Sequence, residues 1–408
     1  MVRNIVEIVA AAGAVCGTVF YLVSIISAWR FLRLPRPPAH PNQARPASSG
    51  SPVPGFYPPV SILKPVRGAD PHAYECFRSH CLLDYPEYEI VFGVHDPGDP
   101  AVAVVERLKK EFPDRRIELV VCPREQGPNR KVSNLIQMLP AARHDYLLVN
   151  DGDIRVPPDY LRRIMAPLAD SKVGLVTALY RAVAGHTLGS KLEALSISDF
   201  ATAVLVSYAN RHAFHYGFGS TLAFPRRVLE RAGGFEALAE YLADDHQLGT
   251  LIAHAGYSIV LSEVVVETYL PDYSLRDFWN HQLRWARTVR DASPRGNVGL
   301  VLVFGVQWAA TTVLAAGGAA WAWALLAAAY AARITALLVT GLGVCRDRGT
   351  LRRLWLLPLR DLQAVLVWAA SYAGRTVVWR GDRFLLKHGR LLRTRPSATE
   401  PSSSPAEL

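Results

Sequence analysis

The sequence predicts an α/β fold with a mostly parallel sheet, flanked by transmembrane helices. Two observations predict it: β-rich apolar runs alternate with helical runs through the middle of the chain, and long apolar runs almost without charge lie near both ends. Alternating strands and helices are typical of parallel sheets, and about 20 apolar residues cross a bilayer. The expected strands are residues 60–63, 88–94, 117–121, 146–150 and 173–179, with helices between them such as residues 101–112.

The first apolar run, residues 8–29, contains no charged side chain over 22 residues. A helix rises about 1.5 Å per residue, so this run is long enough to cross a hydrocarbon core of about 30 Å. A cleaved signal peptide is the alternative, but Glu7 precedes the run and no clear small-x-small cleavage site precedes Arg30. We therefore predict a transmembrane anchor over residues 1–33.

Basic residues around the anchor predict its orientation. Arg30, Arg33 and Arg36 follow the apolar run, whereas only Arg3 precedes it. Basic residues collect on the cytoplasmic side of membrane spans, so the domain that follows is expected in the cytoplasm. Residues 34–59 contain nine prolines, which predicts a semi-rigid linker between anchor and domain.

Charge and cysteine content exclude two classes of site. The net charge is +10, and residues 346–395 alone contain 12 Lys and Arg against three Asp, a net charge of +9 beside apolar segments. This placement indicates attraction to anionic lipid, so no nucleic-acid partner is expected. The five cysteines are an odd number without a C-x-x-C pair, which indicates a reducing compartment and no zinc site.

Two further spans are predicted within residues 296–345. From residue 297 to residue 345 the one charged side chain is Arg333, and Gly317-Gly318 interrupts the run near its middle. Two spans return the chain to the cytoplasm. Arg333 is costly inside a bilayer without a polar partner, so it faces either the acceptor or the domain, or it snorkels to a tilted helix end.

Residues 346–395 are predicted to form a basic interfacial or re-entrant segment. The apolar part, residues 354–379, is broken by charged residues and a glycine and is too short for two spans. A single span would place the basic tail outside, against the positive-inside rule. The Ser-, Pro- and Glu-rich residues 396–408 are predicted to be disordered.

An acidic triplet ends the fourth predicted strand. The apolar run Tyr146-Leu-Leu-Val-Asn150 leads into Asp151-Gly-Asp153, which places both carboxylates at the edge where open α/β sheets bind ligands. Carboxylate oxygens suit Mg²⁺ or Mn²⁺, which also keep waters and bind substrate phosphates. The triplet predicts a metal and diphosphate site, with a simple turn as the alternative.

Two more side chains are candidates for binding a nucleotide. Asp96 follows the second predicted strand, where an acid can accept hydrogen bonds from a nucleobase or ribose; a turn is the alternative. Lys131 opens a helix after a glycine loop and could pair with a phosphate, with a solvated lysine as the alternative. No P-loop and no G-x-G-x-x-G fingerprint follows any strand.

Adjacent carboxylates occur at Asp244 and Asp245, in an otherwise apolar segment. Crowding of like charges raises the affinity of one carboxylate for a proton. A carboxylate tuned in this way can act as a general base. The alternative is that one of the two caps the N-terminus of a helix.

Residues 277–290 predict a helix lying at a membrane surface. At helical spacing Phe278, Trp285 and Val289 share one face. An ordinary amphipathic helix is the alternative. The arginines that project differently are Arg284, Arg287 and Arg290.

Four of these stretches, taken in order, resemble one signature. They match the D, D, D, (Q/R)xxRW pattern of processive and lipid-directed family 2-type glycosyltransferases. The likeness is strongest to the ceramide glucosyltransferase family and its bacterial relative, the hopanoid-biosynthesis glycosyltransferase family, and it covers roughly residues 56 to 390. The matching stretches are Asp96, Asp151-Gly-Asp153, Asp244-Asp245 and His281-Gln-Leu-Arg284-Trp285, supported by Ser61-Ile-Leu-Lys-Pro-Val-Arg-Gly68, Asn129-Arg-Lys-Val-Ser-Asn-Leu135, Asp151-Gly-Asp-Ile-Arg-Val156 and Trp379-Arg-Gly-Asp-Arg383.

The resemblance implies a GT-A catalytic domain over residues 60–295 that uses a UDP-sugar and Mg²⁺ or Mn²⁺ and inverts the anomeric carbon. His281 stands where the family usually has Gln or Arg, which leaves its role open. The residues also give a mechanism in which Asp245 takes the proton of a lipid hydroxyl while positive charge neutralises the departing UDP. The implied roles are Asp96 for the uridine side, Asp151 and Asp153 for metal and diphosphate, Lys131, Asp244 and His281 for the rest of the donor site, Asp245 as base, and Arg284 and Trp285 as catalytic residues near the diphosphate and acceptor.

The sequence therefore predicts an integral protein of the bacterial inner membrane whose cytoplasmic domain makes a glycolipid. We expect transfer of N-acetylglucosamine from its UDP-sugar to a bacteriohopanepolyol hydroxyl, with ceramide and UDP-glucose as the alternative. A polymer synthase is disfavoured because few spans follow the domain to build a channel. A non-catalytic membrane scaffold on the same fold is a further alternative, although a scaffold has no physical need for crowded Asp244 and Asp245.

Overall fold

A computed structural model describes residues 2–34, 55–68, 70, 72–210, 214–379 and 382–393. Most of the predicted linker (34–59) and all of the predicted disordered tail (396–408) lie outside these residues. The helices are α1 Val2–Leu32, α2 Ala73–Cys81, α3 Pro100–Glu111, α4 Arg130–Met138, α5 Tyr160–Met165, α6 Leu188–Ala209, α7 Arg226–Arg231, α8 Asp244–His254, α9 Leu275–Ala292, α10 Pro294–Gly299, α11 Gly305–Ala315, α12 Ala320–Leu338, α13 Gly349–Arg353 and α14 Leu357–Ser371. The strands are β1 Val60–Pro65, β2 Tyr88–Val94, β3 Ile117–Val121, β4 Tyr146–Val149, β5 Ile154–Arg155, β6 Val173–Val183, β7 Leu222–Pro225, β8 Ser258–Tyr269, β9 Thr376–Trp379, β10 Asp382–Lys387 and β11 Arg390–Arg393.

The central sheet has eight strands in the order β3-β2-β1-β4-β7-β6-β8-β5. Neighbours from β3 to β4 are parallel, β6 and β8 are parallel, and β7 is antiparallel to both β4 and β6. The predicted mostly parallel sheet is confirmed. β6 continues to Val183 instead of ending at residue 179, because it pairs with β8 as far as Tyr269.

Apolar side chains of the central strands are buried on both faces of the sheet. Ile62 is paired in register with Ile90 and Leu148, and all three lie in the core on one face. Leu63 and Val91 are also in register but lie in the core on the other face. This double burial explains why the strands are continuous apolar runs in the sequence, and it fixes their carboxyl ends at one edge.

Several helices are long and apolar enough to cross a membrane. α1 meets this criterion, as does α12 with the helical turn that extends it to Val344, and α10 and α11 together form a pair bent by 52°. These helices fall within the predicted anchor and the predicted pair of spans. α6 also meets the criterion, which the sequence analysis did not predict, but 61% of its apolar window is buried within the protein.

α1 and α11 pack with their backbones in contact. A Cβ atom added to Gly17 would lie 2.2 Å from the Cα atom of Gly305, so each position has room only for hydrogen. Small residues at such crossings let membrane helices approach closely. The anchor is therefore part of the helix bundle rather than a separate tether.

Arg333 joins the apolar helix α12 to α6 and α14. Its Nη2 atom lies 2.7 Å from Asp361 on α14 and 2.9 Å from Asp199 on α6. The Arg333 residue is only 6% exposed. A buried charge with two opposite partners is compensated, so of the predicted alternatives the contact with the domain is the one observed, and snorkelling is not.

Residues 346–395 contain a small sheet that the sequence analysis did not predict. After α14, strands β9, β10 and β11 form an antiparallel sheet. It docks on the catalytic domain, where Leu242 N donates to Gly389 O at 3.3 Å and Leu391 N donates to Glu240 O at 2.7 Å. Within residues 346–395 the helical part ends with α14. The sheet that follows α14 lies against the residues that lead into Asp244.

Candidate active site

Lys131 lies at the centre of an acidic edge of the sheet. It falls in the first turn of α4, where Asn129 caps the helix by accepting a hydrogen bond from Val132 N at 3.1 Å. Its Nζ atom lies 2.7 Å from Asp151 Oδ1 and 3.2 Å from Asp244 Oδ2. Burial disfavours the charged form of Lys131, but the nearby carboxylates outweigh it and raise the pKa of this lysine.

A cleft of about 290 Å³ opens beside Lys131 and contains Asp96. Asp96 lies just after β2, and its Oδ1 atom accepts a hydrogen bond from Gly98 N at 2.8 Å. The structure therefore brings the predicted uridine-side acid and the predicted phosphate-side lysine into one cavity. The cleft is lined by Pro65, Val66, Arg67, His95, Asp96, Gly98, Asp99, Pro100, Arg130, Lys131 and Asn134.

Asp244 and Asp245 are the first two residues of α8, and neither is its N-cap. The N-cap position is Ala243, which has no side-chain cap, so the capping alternative is not observed. Asp245 accepts two backbone hydrogen bonds, from His246 N to Oδ1 at 2.7 Å and from Gly219 N to Oδ2 at 2.8 Å. Burial and the charge of Asp244 raise the pKa of Asp245 to about 6, although Lys131 opposes this shift.

Gly219 connects the two acidic stretches. Its carbonyl accepts a hydrogen bond from Asp151 N at 3.0 Å, while its N–H donates to Asp245. A Cβ atom at this position would lie 2.4 Å from Asp151 Oδ2 and 3.1 Å from Lys131 Nζ. Gly219 is not among the residues predicted from the sequence. The available signal was the pair of glycines in Gly217-Phe-Gly219.

Asp153 lies near Asp151 at this edge and lines a second cleft. Its Oδ2 atom accepts a hydrogen bond from Thr268 Oγ1 at 2.5 Å, and the second cleft, of about 220 Å³, is also lined by His72 and Asp272. Burial, followed by the charge of Asp151, raises the pKa of Asp153.

The acidic edge fits a divalent cation that shares its coordination with a substrate. Among the residues that the structure describes, no three His, Cys, Asp or Glu side chains form a complete metal site. Mg²⁺ and Mn²⁺ need no such cage, because phosphate oxygens and waters fill the other positions. The Asp151 side chain is 39% exposed, so its carboxylate is accessible to a cation that also binds substrate phosphate.

Lys64 is a second lysine at the site, and the sequence analysis did not assign it a role. It lies within β1, is fully buried, and donates a hydrogen bond to the backbone carbonyl of Asp151 at 3.0 Å. Burial lowers the pKa of Lys64 to about 8. In the sequence, the signal was a lysine inside a mostly apolar strand. In the structure, the hydrogen bond from Lys64 holds the acidic triplet in place.

α9 carries the predicted His281, Arg284 and Trp285 and lies beside these clefts. Ser274 caps it by accepting a hydrogen bond from Asp277 N at 3.1 Å. The predicted membrane-facing surface is only partly observed. Phe278 is buried, Trp285 and Val289 are exposed, and Arg287 and Arg290 hydrogen-bond backbone carbonyls of Thr376 and Gly374.

Two tyrosines show how close α9 is to the acidic edge. Burial raises the pKa of Tyr180, and the charges of Asp245, Glu193, Asp153 and Asp151 raise it further. Burial likewise raises the pKa of Tyr273 to about 12, with Glu193 and Asp153 acting in the same direction and Arg284 opposing them. Tyr273, which lies just before α9, is therefore near both Asp153 and Arg284.

A protein-family model matches nearly the whole chain. The family model for glycosyl transferase family 21 matches residues 9–392. The chain belongs to glycosyl transferase family 21. The match begins within α1 and ends within β11, so it includes the acidic edge, α9 and the C-terminal sheet of this family 21 glycosyltransferase.

Named relatives of this family 21 glycosyltransferase include ceramide glucosyltransferases. Ceramide glucosyltransferase 1 of Caenorhabditis elegans is 22% identical over 402 residues, which is 95% of this chain and 82% of the relative. A ceramide glucosyltransferase of Komagataella phaffii is 35% identical over 116 residues, which is 28% of this chain and 23% of the relative.

A solved structure shares the fold. The mannosyltransferase PcManGT from Pyrobaculum calidifontis, solved in complex with GDP-Man and Mn²⁺, aligns with a TM-score of 0.52 at 21% identity over 90% of this chain and 99% of that structure. This likeness confirms the predicted GT-A-like fold of the catalytic domain.

The position of Gly219 gives a prediction for this family 21 glycosyltransferase. Gly219→Ala should lower turnover by about 10²-fold, because the new methyl group displaces the Asp151 carboxylate. Gly152→Ala is the steric control, since its Cβ would meet Val66 at 3.5 Å, an ordinary contact. Initial rates of sugar transfer measure both variants, and equal rates for the two would contradict the assignment.

Proposed function

We propose that this glycosyltransferase transfers a hexose from a UDP-sugar to a hydroxyl group of a membrane lipid, with inversion of the anomeric carbon. The observation that carries the proposal is the partly buried Asp245, whose carboxylate accepts two backbone hydrogen bonds and whose pKa is raised to about 6, at the same edge as Lys131 and Asp151. Such a carboxyl is ionised at neutral pH but is a stronger base than an exposed aspartate, as a general base requires.

In the proposed mechanism Asp245 accepts the proton of the lipid hydroxyl. The acceptor oxygen forms a bond to the anomeric carbon from the face opposite the UDP, and the bond from that carbon to the diphosphate oxygen breaks. This single displacement inverts the configuration. The two backbone N–H groups on Asp245 hold its carboxylate in position, so its orientation costs little during the reaction.

The leaving UDP is proposed to bind along the cleft that contains Asp96 and Lys131. Asp96 is the proposed partner of the uridine side, and Lys131 and Arg284 are the proposed cations near the diphosphate. Asp151 and Asp153 would hold Mg²⁺ or Mn²⁺, while Asp244 orients Lys131. When bound, the cation supplies a Lewis acid that neutralises charge on the diphosphate.

For the donor and acceptor we propose UDP-N-acetylglucosamine and a bacteriohopanepolyol, because the matching sequence stretches resemble those of the bacterial hopanoid-biosynthesis family. A second pair, UDP-glucose and ceramide, is favoured by the names of the relatives. Both acceptors are lipids with a hydroxyl near the membrane surface. The proposed membrane position is supported by the apolar helices α1, α11 and α12.

The two pairs can be compared directly. The full-length protein in detergent or nanodiscs is given each donor with each acceptor, and the lipid product is analysed by mass spectrometry and by NMR of the anomeric proton. The proposal predicts one dominant pair and a β-linked product from the α-linked donor. Retained configuration would contradict the proposed inversion, and no product with any pair would contradict the proposed transfer and favour the scaffold alternative.

We further propose that the catalytic domain faces the cytoplasm from the bacterial inner membrane. The proposal is supported by the arginines that follow α1 and by the docking of β11 on the catalytic domain, which keeps residues 390–393 on the same side as that domain. Labelling of single cysteines at positions 87 and 390 in intact cells should fail until the membrane is permeabilised. Labelling of either position from outside would overturn the orientation.

The metal proposal predicts that transfer depends on a divalent cation. Excess EDTA should abolish turnover, and Mg²⁺ or Mn²⁺ should restore it. Asp151→Asn and Asp153→Asn should be inactive at every metal concentration because each removes a proposed ligand. Full activity of the wild type in excess EDTA would contradict the metal site.

The base proposal predicts both a pH profile and a mutant phenotype. Turnover should fall as pH drops below about 6, since protonated Asp245 cannot accept a proton, and the raised pKa reflects burial and the charge of Asp244 against that of Lys131. Asp245→Asn should lose about 10²–10⁴-fold in kcat with UDP affinity little changed. Equal loss of turnover and UDP binding would identify Asp245 as a donor ligand instead.

A further inference from the structure

Glu193 is a buried carboxylate that the proposed mechanism does not use. It lies in the apolar helix α6 and is only 3% exposed. Its Oε1 atom lies 3.1 Å from His281 Nδ1, and its Oε2 atom accepts a hydrogen bond from Gln282 Nε2 at 2.9 Å. A buried carboxylate is costly without such partners, so α6 and α9 are joined at this point.

The contact with Glu193 sets the orientation of the His281 ring. Because Nε2 accepts a hydrogen bond from Trp285, the neutral ring carries its proton on Nδ1, which lies 3.1 Å from Glu193 Oε1. Trp285 Nε1 donates to Nε2 at 3.3 Å. The imidazole also stacks on Tyr273, with ring centroids 5.5 Å apart and planes inclined by 22°. The His281 ring is therefore held by a hydrogen bond to Trp285, a close contact with the Glu193 carboxylate and stacking on Tyr273.

Trp285 is the exposed end of this chain of contacts. Trp285 is 39% exposed. Its ring packs edge-on against Phe200 of α6, with ring centroids 5.9 Å apart. The indole thus has one edge fixed by His281, one contact with the apolar helix α6, and an open surface. A large aromatic ring fixed in this way can bind an apolar or sugar surface at little entropic cost.

We propose that Glu193 and His281 form a positioning pair that holds the Trp285 indole for the lipid acceptor. The proposal rests on the function proposed above and adds a role for His281, which stands where the resemblance expects Gln or Arg. In this role His281 acts through Trp285 and does not contact the diphosphate. Its effect should therefore fall on acceptor binding and leave the donor unaffected.

Two substitutions at His281 separate the possible roles. His281→Ala removes the link and should raise the acceptor KM by about 10-fold, with the Kd of UDP unchanged. His281→Gln should stay within about twofold of wild type, because an amide can donate to Glu193 and accept from Trp285. Glu193→Leu should match His281→Ala, and the double variant should be no worse than either, as expected for groups that act as one unit.

Gln282→Met is the matched control. It removes the other hydrogen bond to Glu193 but leaves the His281 and Trp285 contacts in place. It should lower the melting temperature without changing the acceptor KM. If Glu193→Leu does not fold, the contrast between the two His281 variants still decides the proposal.

A second readout does not depend on activity. The fluorescence emission of Trp285 is obtained as the difference between each variant and the same variant carrying Trp285→Phe. This emission should shift in His281→Ala. It should stay constant in His281→Gln and Gln282→Met. Unchanged emission in His281→Ala, or a loss of UDP affinity with an unchanged acceptor KM, would overturn the positioning pair. The emission measurement also separates failure of the positioning pair from failure of the proposed function. Failure of the proposed function would appear as a wild-type protein that transfers sugar to neither lipid.

Discussion

The shared ion pair of Lys131 is the interaction on which the rest of the site depends. One ammonium group lies within 3.2 Å of carboxylates from the end of β4 and the start of α8. Without a cation these carboxylates would be crowded at one buried edge, and breaking a buried pair by removing one partner typically costs about 3–5 kcal/mol. Lys131 therefore allows the fold to keep several acids together, and the incomplete compensation leaves Asp245 with a raised pKa.

The apolar helices pack against the helices beside the central sheet through buried ion pairs. Arg333 connects α12 to α6 and α14 through buried ion pairs, and Arg287 and Arg290 connect α9 to the segment after α14. α6 and α9 are also the helices that carry Glu193, His281 and Trp285. The acceptor side of the proposed site is consequently built from helices that are fixed to the bundle, as transfer to a lipid requires.

Strands β1 to β4 and β6 and the acidic residues were predictable because their signals are local. Apolar runs of β2 and β3 identify the strands, and the acids that follow β2 and β4 lie at one edge because parallel strands align their carboxyl ends. Gly219, Glu193 and Tyr180 were not predictable in this way. Their roles come from contacts with residues distant in sequence, such as the Cβ space of Gly219 beside Asp151.

The C-terminal sheet was missed for a different reason. Residues 376–393 were interpreted by hydropathy and charge, and their basic residues suggested a lipid surface. Alternation was the better signal in β10, where Phe384 and Leu386 are buried and Leu385 between them is exposed. The role of Arg333 was left open because a charge within an apolar run does not reveal its partners, and those partners, Asp199 and Asp361, lie on other helices.

The most direct measurement of the central claim is an infrared pH titration of the Asp245 carboxyl group, isolated as the difference between the protein and Asp245→Asn. It is performed with and without Lys131→Met, and it needs no turnover. The account predicts a midpoint near pH 6 with Lys131 present, as burial and Asp244 raise the pKa against the lysine, and a higher midpoint after Lys131→Met. An unchanged or lower midpoint in that variant would contradict the account.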